Sequence, residues 1–158
     1  MTIQDEHRPN FIVRAIVKED QIDCREIVLS GLGEHFPEID PSLNPDLDDI
    51  VTYYLESGHQ FVVAVIGDRI VGTGGLLIEK QKEGRIVRLS VIREHRGLGI
   101  GQAVVNELLL RSKNRHLLRI NVETNLDWYP AIGLYKRCGF RELYTDDESV
   151  HMVLDIRP

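Results

Sequence analysis

The sequence has few cysteines, no long apolar run and no excess of basic residues, and each shortage excludes a class of protein. Its only cysteines, Cys24 and Cys138, match no metal-binding spacing. No apolar stretch approaches the roughly 20 residues of a membrane-spanning helix. The formal net charge is -6, which argues against general nucleic-acid binding. We therefore expect no metal, no membrane span and no nucleic-acid partner.

The N-terminal segment also lacks the basic start and apolar stretch of an export signal. We therefore expect a cytoplasmic protein with both cysteines reduced, in which residues 1–9 are poorly ordered. The 158 residues contain no repeat, no low-complexity tract and no long linker. This predicts a single domain over residues 1–158 with a sizeable core.

Apolar periodicity predicts elements in the order β-α-α-β-β-β-α-β-α-β-β. The predicted strands are residues 11–17, 61–66, 70–78, 86–92, 118–123, 140–144 and 150–156, and the predicted helices are residues 20–32, 45–57, 101–112 and 131–138. The unbroken apolar run at 61–66 is typical of a strand covered on both faces, and Asn44 with Pro45 predicts a capped helix start. We expect an α/β (α+β) fold with a mixed central sheet, helices on both faces and a right-handed crossover between parallel strands.

A glycine-rich turn joins the fourth predicted strand to the third helix. Its residues are Arg96, Gly97, Leu98, Gly99, Ile100 and Gly101. The glycines leave backbone N–H groups uncovered beside the positive end of the helix, which suits a phosphate or pyrophosphate. A P-loop would need Lys and Ser/Thr after the turn, and a dinucleotide fingerprint would need glycine in place of Gln102. Taken alone, the turn is also compatible with a nucleotide-binding regulatory domain or a purely structural connection.

Two segments together resemble the GNAT superfamily of N-acetyltransferases. Arg96 to Gly101 is similar to the family's pyrophosphate pattern, Arg/Gln-x-x-Gly-x-Gly/Ala. Residues 128–140 resemble its second signature through Ala131, Leu134, Tyr135, Gly139 and Phe140. The segments occur in the family's order, one helix and one strand apart. The resemblance implies a GNAT-like acyl-CoA N-acyltransferase fold, with a mostly antiparallel sheet of about six or seven strands and one splayed parallel pair.

The resemblance implies acetyl-CoA as co-substrate, bound where the strand before the turn splays from its parallel neighbour. Main-chain groups of Leu89, Ser90 and Val91 would pair with the pantetheine arm, while Arg96 to Gly101 would hold the pyrophosphate. Arg93 and Arg96 would meet phosphate charge, unless both are merely solvated. Trp128 stands where the family often has a pantetheine-binding Asn, so Asn125 is assigned that role, or else it caps the next helix.

The resemblance assigns Tyr135 as the acid that protonates the leaving thiolate; the alternative is a core aromatic. The family's usual glutamate base aligns with Arg85, so this sequence departs from the pattern. Glu79 is the carboxylate that we assign as base in its place. The other options, each with an alternative as a solvated group, are Glu123, Glu34 and His35.

The resemblance therefore implies transfer of an acetyl group from acetyl-CoA to a primary amine of a small-molecule or peptide acceptor, by direct attack in a ternary complex. The missing glutamate motivates an alternative, an acyl-CoA-binding or sensing module with little catalysis. Acids in residues 18–60 would favour a cationic acceptor, whereas Arg85 and Arg88 would hold a carboxylate. A homodimer is a further option, because dimers are common in the family and the last strand is able to pair across an interface.

Overall fold

The computed structural model describes residues 10–156, in which seven strands form one sheet. The prediction of poor order at residues 1–9 lies outside the described residues. The strands are β1 (Ile12–Ala15), β2 (Gln60–Ile66), β3 (Arg69–Ile78), β4 (Glu83–Val91), β5 (Arg119–Asn125), β6 (Arg141–Thr145) and β7 (Ser149–Asp155), and the α-helices are α1 (Gln21–Gly33), α2 (Ile100–Asn114) and α3 (Tyr129–Arg137).

The strands lie in the order β1-β2-β3-β4-β5-β7-β6. Every neighbouring pair is antiparallel except β4 and β5, which are parallel and connected through α2. The predicted mixed, mostly antiparallel sheet with one parallel pair is therefore confirmed. β4 begins three residues before the predicted start, because Glu83, Gly84 and Arg85 pair with β5.

Each face of the sheet carries its own apolar core, and β2 contributes to both. Val62 and Ala64 pack with residues of α2 and α3, whereas Phe61 and Val63 pack with residues of α1 and the segment after it. All four are fully buried, which confirms the prediction of a strand covered on both faces. Both cysteines are free, and burial raises the pKa of the Cys24 thiol to about 12.

The predicted α-helix at residues 45–57 is wrong in its type. A 3-10 turn covers Pro45–Leu47, and a π-helical turn covers Val51–Glu56. Asn44 does not cap this segment, because its side-chain oxygen accepts a hydrogen bond from Arg88 of β4 instead. The segment nevertheless has one buried apolar face, which is formed by Leu47, Ile50 and Tyr54.

A β-bulge in β4 shapes the strand next to the parallel pair. Gly75 pairs with Val87, but Thr73 pairs with Ser90, so β4 holds one extra residue at this point. Arg88 lies in the bulge with a φ of 56°, a left-handed conformation that is uncommon for non-glycine residues. The hydroxyl of fully buried Thr73 donates a hydrogen bond of 2.8 Å to the Arg88 carbonyl.

The last strand of the chain has no free edge. β7 lies between β5 and β6 and pairs with both, so the expectation that it pairs across a dimer interface is wrong. β6 is the edge strand at that end of the sheet; the homodimer itself stays a prediction. Within residues 10–156, the helices are too short or too polar to cross a bilayer.

Candidate active site

The parallel strands β4 and β5 separate soon after they begin. Their pairing runs only from Glu83–Arg119 to Arg85–Asn121. Beyond this point the strands continue to Val91 and Asn125 without pairing to each other. Their facing main-chain groups therefore border a cleft, as the predicted splayed pair requires, and an extended ligand is able to use such edges.

The glycine turn lies at the end of β4, where it opens into α2. Gly97 and Gly99 have φ values of 78° and 84°, and a Cβ added to either would meet no atom within 4 Å. Among the described residues, no hydrogen-bond acceptor is found for the main-chain N–H groups from Gly97 to Gln102. The next N–H group, that of Ala103, donates to the Gly99 carbonyl. Open N–H groups at a helix N-terminus fit a pyrophosphate, so the residues present match the implied co-substrate.

Gly101 serves a second purpose, which is close packing between helices. A Cβ at this position would lie 3.2 Å from a methyl carbon of Leu134 in α3. α3 therefore approaches the first turn of α2 closely. This contact fixes the helix that carries Tyr135 next to the glycine turn.

Tyr135 is 5% exposed and packs edge-on against Phe140 with ring centroids 5.6 Å apart. Burial, with a smaller contribution from Cys138, raises the pKa of its phenol above the ordinary value. The hydroxyl has no hydrogen-bond partner within residues 10–156. A phenol held in its protonated form is a proton donor, but the role of Tyr135 as the catalytic acid stays a prediction.

Glu34, which directly follows α1, contacts Arg96 of the glycine turn and Arg93 just before it. Its carboxylate accepts a hydrogen bond from Nη2 of Arg96 at 3.0 Å, lies 2.9 Å from Nη1 of the same side chain, and lies 3.4 Å from Arg93. The hydrogen bond from Arg96, opposed by partial burial, lowers the pKa of Glu34. Arg96 also donates to the Val91 carbonyl at 2.9 Å. Arg96 and Glu34 thus form an ion pair, whereas the Arg93 side chain is 75% exposed.

The segment after α1 also contacts the residue that precedes α3. His35 stacks on Trp128 with ring centroids 3.9 Å apart, and Phe36 meets Trp128 edge-on at 6.0 Å. Trp128 begins α3 without any side-chain cap. The alternative that Asn125 caps this helix is therefore wrong, because Asn125 remains at the end of β5 and lines the cleft.

A pocket of about 430 Å³ opens between β4 and β5 on the side of residues 45–56. We call it the acceptor pocket. Its charged and amide lining is Asp46, Arg85, Arg88, Glu123 and Asn125, and its largely apolar lining is Tyr53, Tyr54, Leu77, Ile86, Val87 and Trp128. The pocket therefore combines paired opposite charges with aromatic and aliphatic walls.

Arg88 is held in this pocket through its Nε and Nη2 atoms. Its guanidinium donates to the two oxygens of Asp46 at 2.7 and 2.9 Å and to Asn44 at 3.0 Å. The Tyr54 hydroxyl donates to the same carboxylate at 2.7 Å. Burial acts to raise the pKa of Asp46, but the hydrogen bonds from Arg88 and Tyr54 outweigh it and lower that pKa. The network ties the bulge in β4 to residues 44–54.

Arg85 forms looser contacts with two carboxylates. Its Nε donates to Glu79 at 3.0 Å, and its Nη1 lies 3.9 Å from Glu123. Glu123 lines the acceptor pocket, whereas Glu79 does not. The role of Glu79 as the base therefore stays a prediction.

Glu123 also belongs to a cluster on β5 and β7. His151 lies 3.9 Å from Glu123 and 2.9 Å from Asp146. Ligand atoms of these three residues lie within 4.8 Å of one another. Such a set is able to hold a metal ion, so the expectation of no metal stays a prediction.

Sequence reasoning missed Tyr54 and Thr73 as parts of the site, and it included Asp46 only among the acids of residues 18–60, without its partner. Thr73 lies between Gly72 and Gly74 in a strand segment whose glycines do suggest a bulge or a close approach. No local pattern marks Asp46, because its partner Arg88 lies 42 residues away. Only the folded arrangement brings these residues together.

The splayed strands and the open glycine turn are features that the sequence resemblance implies. A model of the acetyltransferase (GNAT) family matches residues 23–140. The chain therefore belongs to the GNAT family, as the sequence resemblance predicts.

Relatives and solved structures agree with this family. The chain is 34% identical over 110 residues to N-acetyltransferase 8B from Homo sapiens, covering 66% of this chain and 48% of that protein. The chain thus spans about half the length of such relatives. It is 25% identical to an N-alpha-acetyltransferase from Sulfolobus acidocaldarius, over 97% of this chain and 96% of the other.

Two solved structures show the same fold. A GNAT-family acetyltransferase from Staphylococcus aureus Mu50 has a TM-score of 0.85 and 24% identity, covering 94% of this chain and 100% of that one. YncA from Salmonella typhimurium, solved with acetyl-CoA, has a TM-score of 0.79 and 15% identity, covering 94% and 95%. At these identities, the likeness concerns the fold alone.

Proposed function

We propose that this chain transfers the acetyl group of acetyl-CoA to a primary amine within a ternary complex. The observation that carries this proposal is the run of open N–H groups from Gly97 to Gln102, at the end of the cleft between β4 and β5. The turn suits a pyrophosphate, and the free strand edges suit an extended arm. The acceptor pocket opens between the same two strands, so donor and acceptor are able to meet there.

The residues that would hold acetyl-CoA follow from this arrangement. Main-chain groups of Leu89, Ser90 and Val91 border the cleft on β4, and the side chain of Asn125 borders it on β5. The turn from Arg96 to Gly101 would take the pyrophosphate. Acetyl-CoA supplies an activated thioester, which reacts with a neutral amine.

The acceptor amine must lose a proton before it attacks, because an alkylammonium has a pKa of about 10. We assign this step to Glu123, since it lines the acceptor pocket. Glu79 is the alternative base, because it shares the Arg85 guanidinium with Glu123. Both relatives named above are N-acetyltransferases, which supports nitrogen as the acceptor atom.

The transfer then needs two further proton movements. The amine nitrogen bonds to the thioester carbonyl carbon, and a main-chain N–H between Leu89 and Ile92 stabilises the oxygen that gains charge. After solvent has taken the first proton from the base, the nitrogen gives up its second proton to the same carboxylate, the C–S bond breaks, and the thiolate takes the phenolic proton of Tyr135. Solvent restores the proton to Tyr135 and removes it from the base.

A thiol-release assay with acetyl-CoA and a panel of amines tests this proposal. We expect Tyr135→Phe to lower kcat about a hundredfold, as for loss of a general acid, with little change in KM for acetyl-CoA. Glu123→Gln should lower kcat and shift its pH profile, whereas Glu79→Gln is the matched control. If Glu79→Gln has the larger effect on kcat, the base is Glu79. Full activity in Tyr135→Phe would remove the proposed acid.

A second candidate function rests on Arg85, which stands where the family usually has its base. An acyl-CoA-binding or sensing module would bind acetyl-CoA without transferring its acetyl group. Calorimetric titration with acetyl-CoA, together with the assay above, separates the two functions. Tight binding with neither transfer nor slow thioester hydrolysis would favour the sensing module.

A further inference from the structure

The acceptor pocket contains two arginines, which differ in how many of their donor atoms are occupied. Arg88 is held by Asp46 and Asn44 through three hydrogen bonds from its Nε and Nη2 atoms. Arg85 makes a single hydrogen bond, from its Nε to Glu79. Within the described part of the chain, both terminal nitrogens of Arg85 lack a hydrogen-bond acceptor, since Glu123 lies 3.9 Å away. Arg85 is therefore the arginine of this pocket whose two terminal nitrogens are both open to an anionic group.

β4 and β5 are joined by only three residue pairs, and we call this short contact the seam. Arg85 on β4 and Glu123 on β5 lie on opposite sides of the seam. Arg85 pairs in register with Asn121, and Glu123 is two residues further along β5, on the same face of the strand. Their charges are close but not in direct contact. A ligand that carries both charges is able to enter between them and to satisfy each one.

An α-amino acid has this property, because its ammonium and carboxylate groups are attached to one carbon. A carboxylate on Arg85 leaves the amine next to Glu123, the residue that we assign as base. A simple cationic amine would contact Glu123 alone and would leave the terminal N–H groups of Arg85 without an acceptor, since only its Nε is bonded to Glu79. These open donors beside Glu123 therefore favour a zwitterion over a polyamine.

Beside the hydroxyl residues Thr124 and Ser149, the remaining walls of the pocket offer surface that suits an apolar side chain. Leu77, Ile86 and Val87 supply aliphatic surface, while Tyr53 and Trp128 supply aromatic surface. Tyr53 is 46% exposed at the rim. An acceptor with an aliphatic or aromatic side chain would cover this surface and remove it from water.

We infer that the acceptor is a free α-amino acid with an apolar side chain, whose carboxylate binds Arg85 and whose amine faces Glu123. This inference rests on the proposed acetyl transfer and adds the class of acceptor. It makes Arg85 a specificity-determining residue. Its role is distinct from that of the strand glutamate that it replaces.

The test compares leucine, leucinamide and the dipeptide Leu-Gly as acceptors at one pH. The readout is the ratio of kcat/KM for leucine to kcat/KM for leucinamide, measured for the unmodified chain and for Arg85→Gln. Because the basicity of each amine is unchanged between variants, it cancels when the ratios are compared. Any effect of Arg85 on Glu123 acts on both substrates and cancels as well.

We expect Arg85→Gln to lower this ratio about tenfold, through a higher KM for leucine, as for loss of one charge-assisted hydrogen bond. Arg85→Lys should retain part of the ratio, because it keeps the charge. Arg119→Gln is the matched control, since Arg119 pairs with Asp155 at 2.9 Å and does not line the pocket. Serine should have a kcat/KM about tenfold below that of leucine, because it covers less apolar surface.

An unchanged ratio in Arg85→Gln overturns the role of Arg85. Transfer to leucinamide or Leu-Gly without transfer to leucine overturns the acceptor class but leaves the proposed function standing. Equal turnover of serine and leucine overturns the apolar side chain. Absence of transfer to any amine, with acetyl-CoA bound, refutes the proposed function together with this inference.

Discussion

Replacing Thr73 by valine tests whether one buried hydroxyl holds the bulge in β4. The Thr73 side chain donates to the Arg88 carbonyl at 2.8 Å, and valine keeps its shape while removing this donor. Arg88 has a φ of 56°, and a left-handed residue other than glycine costs roughly 1–2 kcal/mol. The hydroxyl is therefore one of the groups that offset the strain of the bulge.

The expected effect follows from the burial of this hydrogen bond. Loss of a donor that leaves a buried carbonyl unsatisfied costs about 1–3 kcal/mol. We therefore expect Thr73→Val to lower the free energy of unfolding by about 2 kcal/mol in a denaturant titration. Thr73→Ser removes only a buried methyl group, at about 1 kcal/mol, and keeps the hydroxyl.

Affinity for acetyl-CoA separates the two variants more sharply than stability does. The bulge directly precedes Leu89, Ser90 and Val91, whose main-chain groups border the cleft. We expect Thr73→Val to weaken acetyl-CoA binding about tenfold, which corresponds to one lost hydrogen bond, while Thr73→Ser binds as the unmodified chain does. Calorimetric titration measures both. Equal affinity in all three proteins would refute the idea that this hydroxyl sets the shape of the strand.

Three further predictions concern the turn and its neighbours. Gly99→Ala should lower the free energy of unfolding by about 1 kcal/mol, because φ is 84°, and should reduce the thermal shift that CoA produces; an undiminished shift would contradict phosphate binding at this turn. Glu34→Gln should tighten CoA binding a few-fold at low salt, because it removes an anion beside Arg96, and unchanged affinity in calorimetry would argue against phosphate contact. The depressed pKa of Asp46 contributes stability that is present above its ordinary pKa of about 4 and lost as pH falls through the lowered value. Asp46→Asn should therefore show a shallower loss of unfolding free energy on acidification, and an identical pH profile would count against the pairing.

Local sequence patterns predicted the strands, the parallel pair and the setting of Tyr135. The unbroken apolar run of β2, the alternation along β5 and the glycines at the start of α2 are short-range signals, and short-range signals fix element type and order. The resemblance also placed Tyr135 one helix and one strand after the turn. The close packing of its helix on the turn, through Leu134 and Gly101, is visible only in the structure.

The acceptor pocket could not be predicted in the same way. Arg88 adopts a left-handed conformation that its residue type does not indicate, and its partner Asp46 is remote in sequence. The same partnership takes Asn44 away from its expected capping role, so the segment after it is not a regular α-helix. Long-range hydrogen bonds overrode local propensity here, and a single sequence does not reveal them.

The short seam between β4 and β5 has a consequence for how the molecule opens. β5 shares seven residue pairs with β7 but only three with β4, so the sheet consists of a four-stranded and a three-stranded part. Apart from their shared core, the two parts are joined by only these three residue pairs. We therefore expect local unfolding to cost the least free energy at the seam. A ligand in the cleft contacts both parts and so adds to the free energy that holds them together. The cofactor arm would then act as a missing strand, which joins two cooperative units into one.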